Sequence, residues 1–321
     1  MTHIRTSIYS ARSLFNAQIL YYNIIYFVLM PLPLILKDIY IIHIIILSLY
    51  YSILTMSWNL LAGYTGLFCL STHTFSGLAA YISALMVVYL DIPIPVSMIL
   101  AGFIIAVIGY LIGHITIKMK GIYLALTTWA FAEIARIAIT AEYQITRGEL
   151  GLQVPPLFGS IVPDYRYFYV ALALSMISYN ATIMIMRSRY GLYLKAIGDD
   201  EIAAGSLGIN FIAIRKNVFA LSAFIAGIAG SFYAHYVGTL SPAILNFTEM
   251  GMIIISTLLG GWRTITGPVI GAFTVEVLSE MARMGSATRL LVFSIVTFII
   301  VILLKGSITD LLKKYLKIKV I

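Results

Sequence analysis

Residues 39–90 read IYIIHIIILSLYYSILTMSWNLLAGYTGLFCLSTHTFSGLAAYISALMVVYL, two apolar blocks at 39–61 and 73–90 with an interruption between them. Each block has roughly the 17–25 residues that a helix needs to cross the hydrocarbon of a bilayer. In the interruption, Gly63, Gly66 and Gly77 flank the polar run Ser71, Thr72, His73, Thr74. Non-helical backbone at membrane depth survives only where protein or a water-filled cavity satisfies its amides and carbonyls. The stretch therefore reads as part of an all-α polytopic membrane protein in which some helices are broken.

Working outward, further apolar blocks lie near 19–36, 93–117, 121–141, 165–186, 217–237, 246–261, 266–283 and 287–304, which predicts about ten transmembrane helices. The first follows Arg5 and Arg12 as a signal peptide would, but it is too long for a secretory core, lacks a cleavage site and ends at Pro31 and Pro33, so we read an uncleaved helix. Composition agrees: 61% of the chain is apolar and 11% charged, against about 45–50% and about 25% in soluble domains. Soluble enzymes and nucleic-acid-binding modules are thereby demoted. The single cysteine, Cys69, cannot form an internal disulfide. Only the connections 142–165 and 187–216 are long, so residues 1–321 read as one membrane domain: N-terminal helix 19–36, core 39–304 and a tail at 305–321.

Charge tests the count. With the N-terminus inside, fifteen basic residues fall in the cytoplasm, among them Arg5, Arg12, Lys118, Lys120, Arg187, Arg189, Lys195, Arg215, Lys216 and Arg263. Five (Lys37, Arg147, Arg166, Arg283, Arg289) fall outside and Arg136 lies within a span. That bias supports cytoplasmic termini in a multi-pass plasma-membrane protein. It also accounts for most of the net charge of +8 without nucleic acid as a partner.

A second interruption, YVGTLSPAILNFTEMG at 236–251 with Ser241 and Pro242, precedes the eighth block. Two broken segments at matching places in the two halves are the trace of an inverted repeat with a substrate path between them. Close helix packing accounts for any one of these glycines, but their cluster with Ser, Thr and His points to a pathway. Among intramembrane charges, Glu133 and Arg136 share a helix face and read as a structural pair. Glu276 and Glu280 repeat the spacing and need a partner on another helix or an external vestibule. His43, His114 and His235 lack metal-ligand spacing and read as hydrogen-bonded packing residues.

Within 187–216, the run from Gly198 through Asp199, Asp200, Glu201, Ile202, Ala203, Ala204, Gly205, Ser206 and Leu207 to Gly208 predicts a short helix. Its acids suit a helix N-terminus and Gly208 suits a C-terminal stop. Ile202, Ala203 and Leu207 would be displayed beside the charges, and composition leaves a partner-docking helix and a solvated connector equally open. No G-x-x-x-x-G-K-[ST] loop, H-E-x-x-H, G-x-S-x-G or cysteine pair is present, so no enzyme is indicated. Uphill transport would need an ion gradient or another subunit.

Four stretches in order, NLLAGYTGLFCLSTHTFSGLAAY (59–81), GIYLALTTWAFAEI (121–134), LKAIGDDEIAAGSLGIN (194–210) and LGGWRTITGPVIGA (259–272), carry a family likeness. The chain resembles the permease subunits of branched-chain amino acid (Liv-type) ABC importers, particularly the LivM-like branch, from about residue 55 to 300. The resemblance implies a non-enzymatic transport subunit working with a second, related permease subunit, two cytosolic ATPases that carry ATP and magnesium, and an external solute-binding protein. It implies no cofactor or metal on this chain. It makes Asp199, Asp200, Glu201, Ala203, Ala204 and Gly208 the ATPase-coupling positions. Gly63, Gly66, Ser71, Thr72, His73, Gly77, Ser241 and Pro242 then line the path. Thr146, Gly148 and Gly151, with Leu152, match a T-x-G-x-x-G-L element facing the path or the binding protein. Two departures stand out: Thr72 where the family has Gly before the histidine, and Arg263 with Thr264 in place of LGG-x-G-x-x-x-GP. The expected solute is a branched-chain or other hydrophobic amino acid, with urea and short amides also within the family. The rival is an ion-coupled carrier or channel using Glu133 or Glu276.

Overall fold

The computed structural model describes residues 23–35, 38–159 and 165–282, with positions 291 and 295. The chain enters through α1 (Ile24–Leu29) and α2 (Leu32–Ile35). The long α3 (Ile39–Trp58) starts where the Asp38 carboxylate accepts from Tyr40 N at 2.9 Å, which caps a helix end whose amides lack internal partners. It runs directly into a π-helical turn, Asn59–Tyr64, and an extended stretch follows before α4 (Thr72–Leu90). Next come α5 (Ile94–Ile115), entered through Pro93, and α6 (Gly121–Ala141). A short α7 (Tyr143–Thr146) leads to β1 (Leu152–Gln153) and then α8 (Tyr165–Arg187).

The connection after α8 folds into α9 (Arg189–Asp199) and α10 (Glu201–Ser206). The 27-residue α11 (Phe211–Val237) stops at Gly238, and β2 (Thr239–Leu240) and a 3-10 turn (Pro242–Leu245) lead to α12 (Phe247–Gly260) and α13 (Gly267–Ala282). The two strands pair antiparallel, Leu152 with Leu240 and Gln153 with Thr239.

α11 and α3 form the centre. α11 packs chiefly on α5 and α4, while α3 packs on α13, α8 and α11. Backbones approach closely because the contact positions are small: a Cβ on Gly109 of α5 would lie 2.5 Å from the Ala223 Cβ, and one on Gly230 would lie 1.9 Å from Ser76 O. Serine pairs fasten the helices across these contacts, Ser57 with Ser222 at 2.8 Å and Ser52 with Ser175 at 2.7 Å. The outer helices expose Ile99, Phe103, Val107, Ile177 and Met184, side chains suited to lipid or to a neighbouring apolar subunit.

Among the described residues, six helical stretches are long and apolar enough to cross a membrane, Ile39–Tyr64, Thr72–Leu90, Ile94–Ile115, Gly121–Ala141, Tyr165–Arg187 and Phe211–Val237. This is fewer than the ten expected, for identifiable reasons. The described part of block 19–36 is split at Met30 and Pro31 into two short helices, since proline removes a backbone donor and crowds the preceding turn. The eighth block forms a helix of 14 residues, below a full span, and the ninth is described only as far as Ala282. The block at 287–304 and the tail at 305–321 lie outside the described residues.

Candidate functional site

The two interruptions meet inside the bundle. His73, in the first turn of α4, points Nε2 at Leu245 O, 3.1 Å away in the 3-10 turn. Gly77, one helical turn on, lets Leu245 settle against α4, where a Cβ would lie 2.4 Å from its Cδ2. Ser71, Thr72 and His73 are all buried. The Thr72 hydroxyl and His73 Nδ1 have no hydrogen-bond partner among the described residues. Pro242 is buried at the start of the 3-10 turn, whereas Ser241 lines a cavity of about 240 Å³ with Tyr50, Tyr51, Tyr233, Glu249 and Glu276. Tyr51 donates to Glu249 at 2.5 Å. Sequence reasoning singled out Glu276 and passed over Glu249. An acid in the first turn of a helix that restarts after an interruption was the available signal.

Beside this junction the bundle has an open face. Leu70 and Phe247, one from each interrupted segment, line a groove of about 380 Å³ with Leu126, Trp129 and Glu133. Glu133 accepts from Arg136 at 2.5 Å, as their spacing predicts, and both side chains remain partly exposed, 39% and 29%. Glu133 also lies within electrostatic reach of His73. None of Leu70, Trp129 or Phe247 was distinguished by the sequence, where each is one apolar residue among many.

At one end of the bundle lie the turns at 117–120 and 261–266 and the 187–216 connection. The predicted short helix is α10, and a second helix that the sequence reading did not give, α9, precedes it: Asp200 ends α9 and caps α10, accepting from Ile202 N at 2.8 Å and Ala203 N at 3.0 Å. Those two bonds hold its carboxyl below the ordinary carboxylate range. Gly208, with φ +84°, supplies the stop: its N–H reaches Gly205 O and Ile209 N–H reaches Ala204 O, a Schellman closure. Ile202 and Leu207 are 74% and 82% exposed, Ala203 is exposed as well, and Ala204 is buried. Two of the acids pair with the chain's own cations, Glu201 from a mostly buried position and Asp199 from an exposed one. Glu201 pairs with Lys120 at 2.9 Å and with the buried Arg215 at 3.0 Å, and Asp199 pairs with Arg263 at 3.0 Å.

Gly63 and Gly66 belong to this end. Gly63 abuts Asn59 and the Arg263 backbone, and Gly66 takes φ +69° where the chain turns back toward α4.

The opposite end holds the T-x-G-x-x-G-L element. The buried Thr146 hydroxyl lies 2.6 Å from Ile139 O and accepts from Gly148 N at 3.2 Å. Gly148 and Gly151 both take positive φ, and Leu152 enters the two-strand pairing that ties this loop to 239–240. His235 bridges Ser83 at 3.0 Å and Pro155 O at 2.8 Å, and His43 meets Tyr236 at 2.5 Å, both as expected of packing residues. His114 instead is exposed in the last turn of α5. Glu280 accepts from Tyr40 of α3, a partner on another helix. Among the described residues no three His, Cys, Asp or Glu side chains gather into a metal site.

Residues 40–304 match the model of the family described as the branched-chain amino acid transport system permease component. The chain is 29% identical over 264 residues to the high-affinity branched-chain amino acid transport system permease protein LivM of Salmonella typhimurium, and equally to LivM of Escherichia coli. Each alignment covers 74% of this chain and 62% of the relative, so the chain spans less than two thirds of the length of these curated relatives. It is also 25% identical over 194 residues to the fructose import permease protein FrcC of Rhizobium meliloti, covering 56% of this chain and 53% of that one. No solved structure matches the chain.

Proposed function

Since the chain belongs to the family of permease components of branched-chain amino acid transport systems, and is thus a multi-pass membrane protein, we propose that it forms half of the translocation path of an ATP-driven importer for branched-chain or other hydrophobic amino acids. Its partners in this reading are a second, related permease subunit, two cytosolic ATPases that bind ATP and magnesium, and an external solute-binding protein. Both termini lie in the cytoplasm. The short α12, less than a span, and the two interruptions read as the broken elements of an inverted repeat, within a fold of about ten membrane helices.

The observation that carries the reading is α10. It is capped at both ends, held to the chain by Glu201, and displays Ile202 and Leu207 outward. A rigid short helix with unburied apolar side chains fits a groove on a partner, and a lone ion-coupled carrier has no use for one. Glu133, which the rival would employ, is already paired with Arg136. The open groove at Leu70, Trp129, Glu133 and Phe247 is where we place the second permease subunit and the path, because a partly exposed charge pair on a membrane-length helix requires protein or water beside it. Water or a solute group would complete the Thr72 and His73 atoms, as buried polar atoms are normally paired.

Co-purification with the ATPases, followed by ATP-driven uptake in vesicles containing the whole complex, tests this. Leucine, isoleucine and valine should compete for uptake, while urea, fructose and polar amino acids should not. Competition by urea or fructose alone would overturn the solute, and uptake without ATPases would favour the carrier.

A further inference from the structure

We propose that Arg263 is the positioning residue that joins the α9–α10 connection to the interrupted span, so that displacement of the connection moves the 59–66 turn. The inference rests on the reading that this connection docks the ATPases. Arg263 sits in the turn between α12 and α13 and reaches two other segments, the 59–64 turn and the end of α9. Its backbone N–H donates to Asn59 Oδ1 at 3.2 Å, Nε donates to Gly63 O at 2.8 Å, and Nη1 donates to Asp199 Oδ1 at 3.0 Å. Gly63 O is one of the carbonyls left without an internal partner at the end of the π-helical turn, where a cation is favoured. A guanidinium holds two acceptors in one fixed plane, which a lysine ammonium cannot do.

The surfaces on either side are in close contact. A Cβ on Gly198 would lie 2.2 Å from Tyr64 O and 2.8 Å from Arg263 Nη2, and one on Gly63 would lie 2.0 Å from Asn59 Oδ1. Asn59 in turn donates to Thr264 O at 2.8 Å. The end of α9, the 59–64 turn and the 261–266 turn therefore meet closely at Gly198, Tyr64 and Arg263, beside a cavity of about 170 Å³ lined by Thr65, Gly66, Ile197 and Gly198. At its other end, α10 is fastened through Glu201 to Lys120 and Arg215, and Arg215 also donates to Ile117 O and Met119 O. The connection thus has two polar fastenings, and the one through Arg263 ties it by hydrogen bonds to the interrupted segment, beside the direct packing of Gly198 on Tyr64. The ion pair with Asp199 is 42% and 70% exposed, so it adds little to folding stability. Substitution there should read out in transmission more than in unfolding.

The φ of +61° at Arg263 suits glycine, so Arg263→Gly removes the side chain without straining the turn. Two measurements on the reconstituted complex are decisive: amide hydrogen exchange of residues 61–67 with and without bound ATPases, and leucine taken up per ATP hydrolysed. In the unaltered chain, ATPase binding should change exchange at 61–67. In Arg263→Gly, ATPases should still bind while that change disappears and uptake per ATP falls at least about fivefold, the weaker end of measured couplings between sites. Asp199→Asn should weaken transmission in the same direction, and Arg263→Lys should restore only part of it. An Arg263→Gly chain that transmits the exchange change and keeps its uptake ratio overturns the inference and leaves the docking reading intact. Loss of ATPase binding in that variant makes Arg263 part of the docking surface, which also overturns it. If the unaltered chain binds no ATPase, the docking reading fails and the inference with it.

Discussion

Asp200 divides the 187–216 connection into two helices with one carboxylate, and that carboxylate titrates. Its pKa lies below the ordinary 3.8 because the charged form accepts from two backbone amides. A depressed folded-state pKa means that the cap is fully effective above the unfolded value and is lost as pH falls through the folded one. Protection of the Ile202 and Ala203 amides, corrected for intrinsic exchange, should therefore hold from neutrality to about pH 4 and collapse below it, by the ordinary carboxylate scale. In Asp200→Ala it should be low throughout and lack that step; a step surviving the substitution would show that another group sets it. Thr72 poses the opposite case, a buried hydroxyl whose oxygen meets no partner among the described residues. Replacing such a group with an apolar isostere is nearly neutral for folding. Thr72→Val should leave the unfolding midpoint in detergent unchanged and raise the concentration of leucine needed for half-maximal uptake. A lowered midpoint with unchanged uptake would make Thr72 a packing residue.

At the scale of the element, α10 is six residues long and far too short to persist alone in water. It is held by Asp200 before it, the Gly208 turn after it and Glu201 beneath it, and this leaves Ile202 and Leu207 free of any structural task. Changing both to Ala should leave unfolding unaltered while weakening ATPase association at least about tenfold, since fully burying one such side chain is worth about 1.5–3 kcal/mol. Unchanged association in a binding titration would sink the docking role. Gly208→Ala should act differently, destabilising the connection by about 1–2 kcal/mol through its left-handed backbone and weakening association only as a consequence. The helix and its glycine stop were legible in the sequence because caps are local signals. The break at Asp200 was not, since an acid near a helix N-terminus reads alike at the cap and in the first turn. Nor were the cationic partners of Asp199 and Glu201, one in a turn 64 positions away in the chain and one in α11, 14 positions away. The two interruptions were visible as clusters of glycine and polar residues, whereas their meeting through His73 and Leu245 depends on how α4 and α11 pack. Likewise Leu70, Trp129 and Phe247 gain meaning only from the face they share.

For the molecule as a whole, the charges sort by end, and that sorting makes a claim about sidedness. Lys120, Glu201, Arg215, Asp199 and Arg263 come from three connections, yet converge at one end, while the 142–159 loop and the 239–240 strand close the other. The convergence agrees with the alternation of helices inferred from basic residues, and the proposed function puts their end, with its excess of Lys and Arg, in the cytoplasm. The chain is well suited to a direct test. Its single cysteine, Cys69, is buried, so it contributes little to labelling by a membrane-impermeant maleimide. Ser206 and Gln144 are both exposed, one at each end. Ser206→Cys should label in inverted vesicles and stay unlabelled in intact cells, and Gln144→Cys should do the reverse. Labelling of both from the same side would break the alternation, and with it the placement of α10 against the ATPases. The reverse pattern for both would keep the fold and turn the molecule over, which no cytosolic ATPase could then reach.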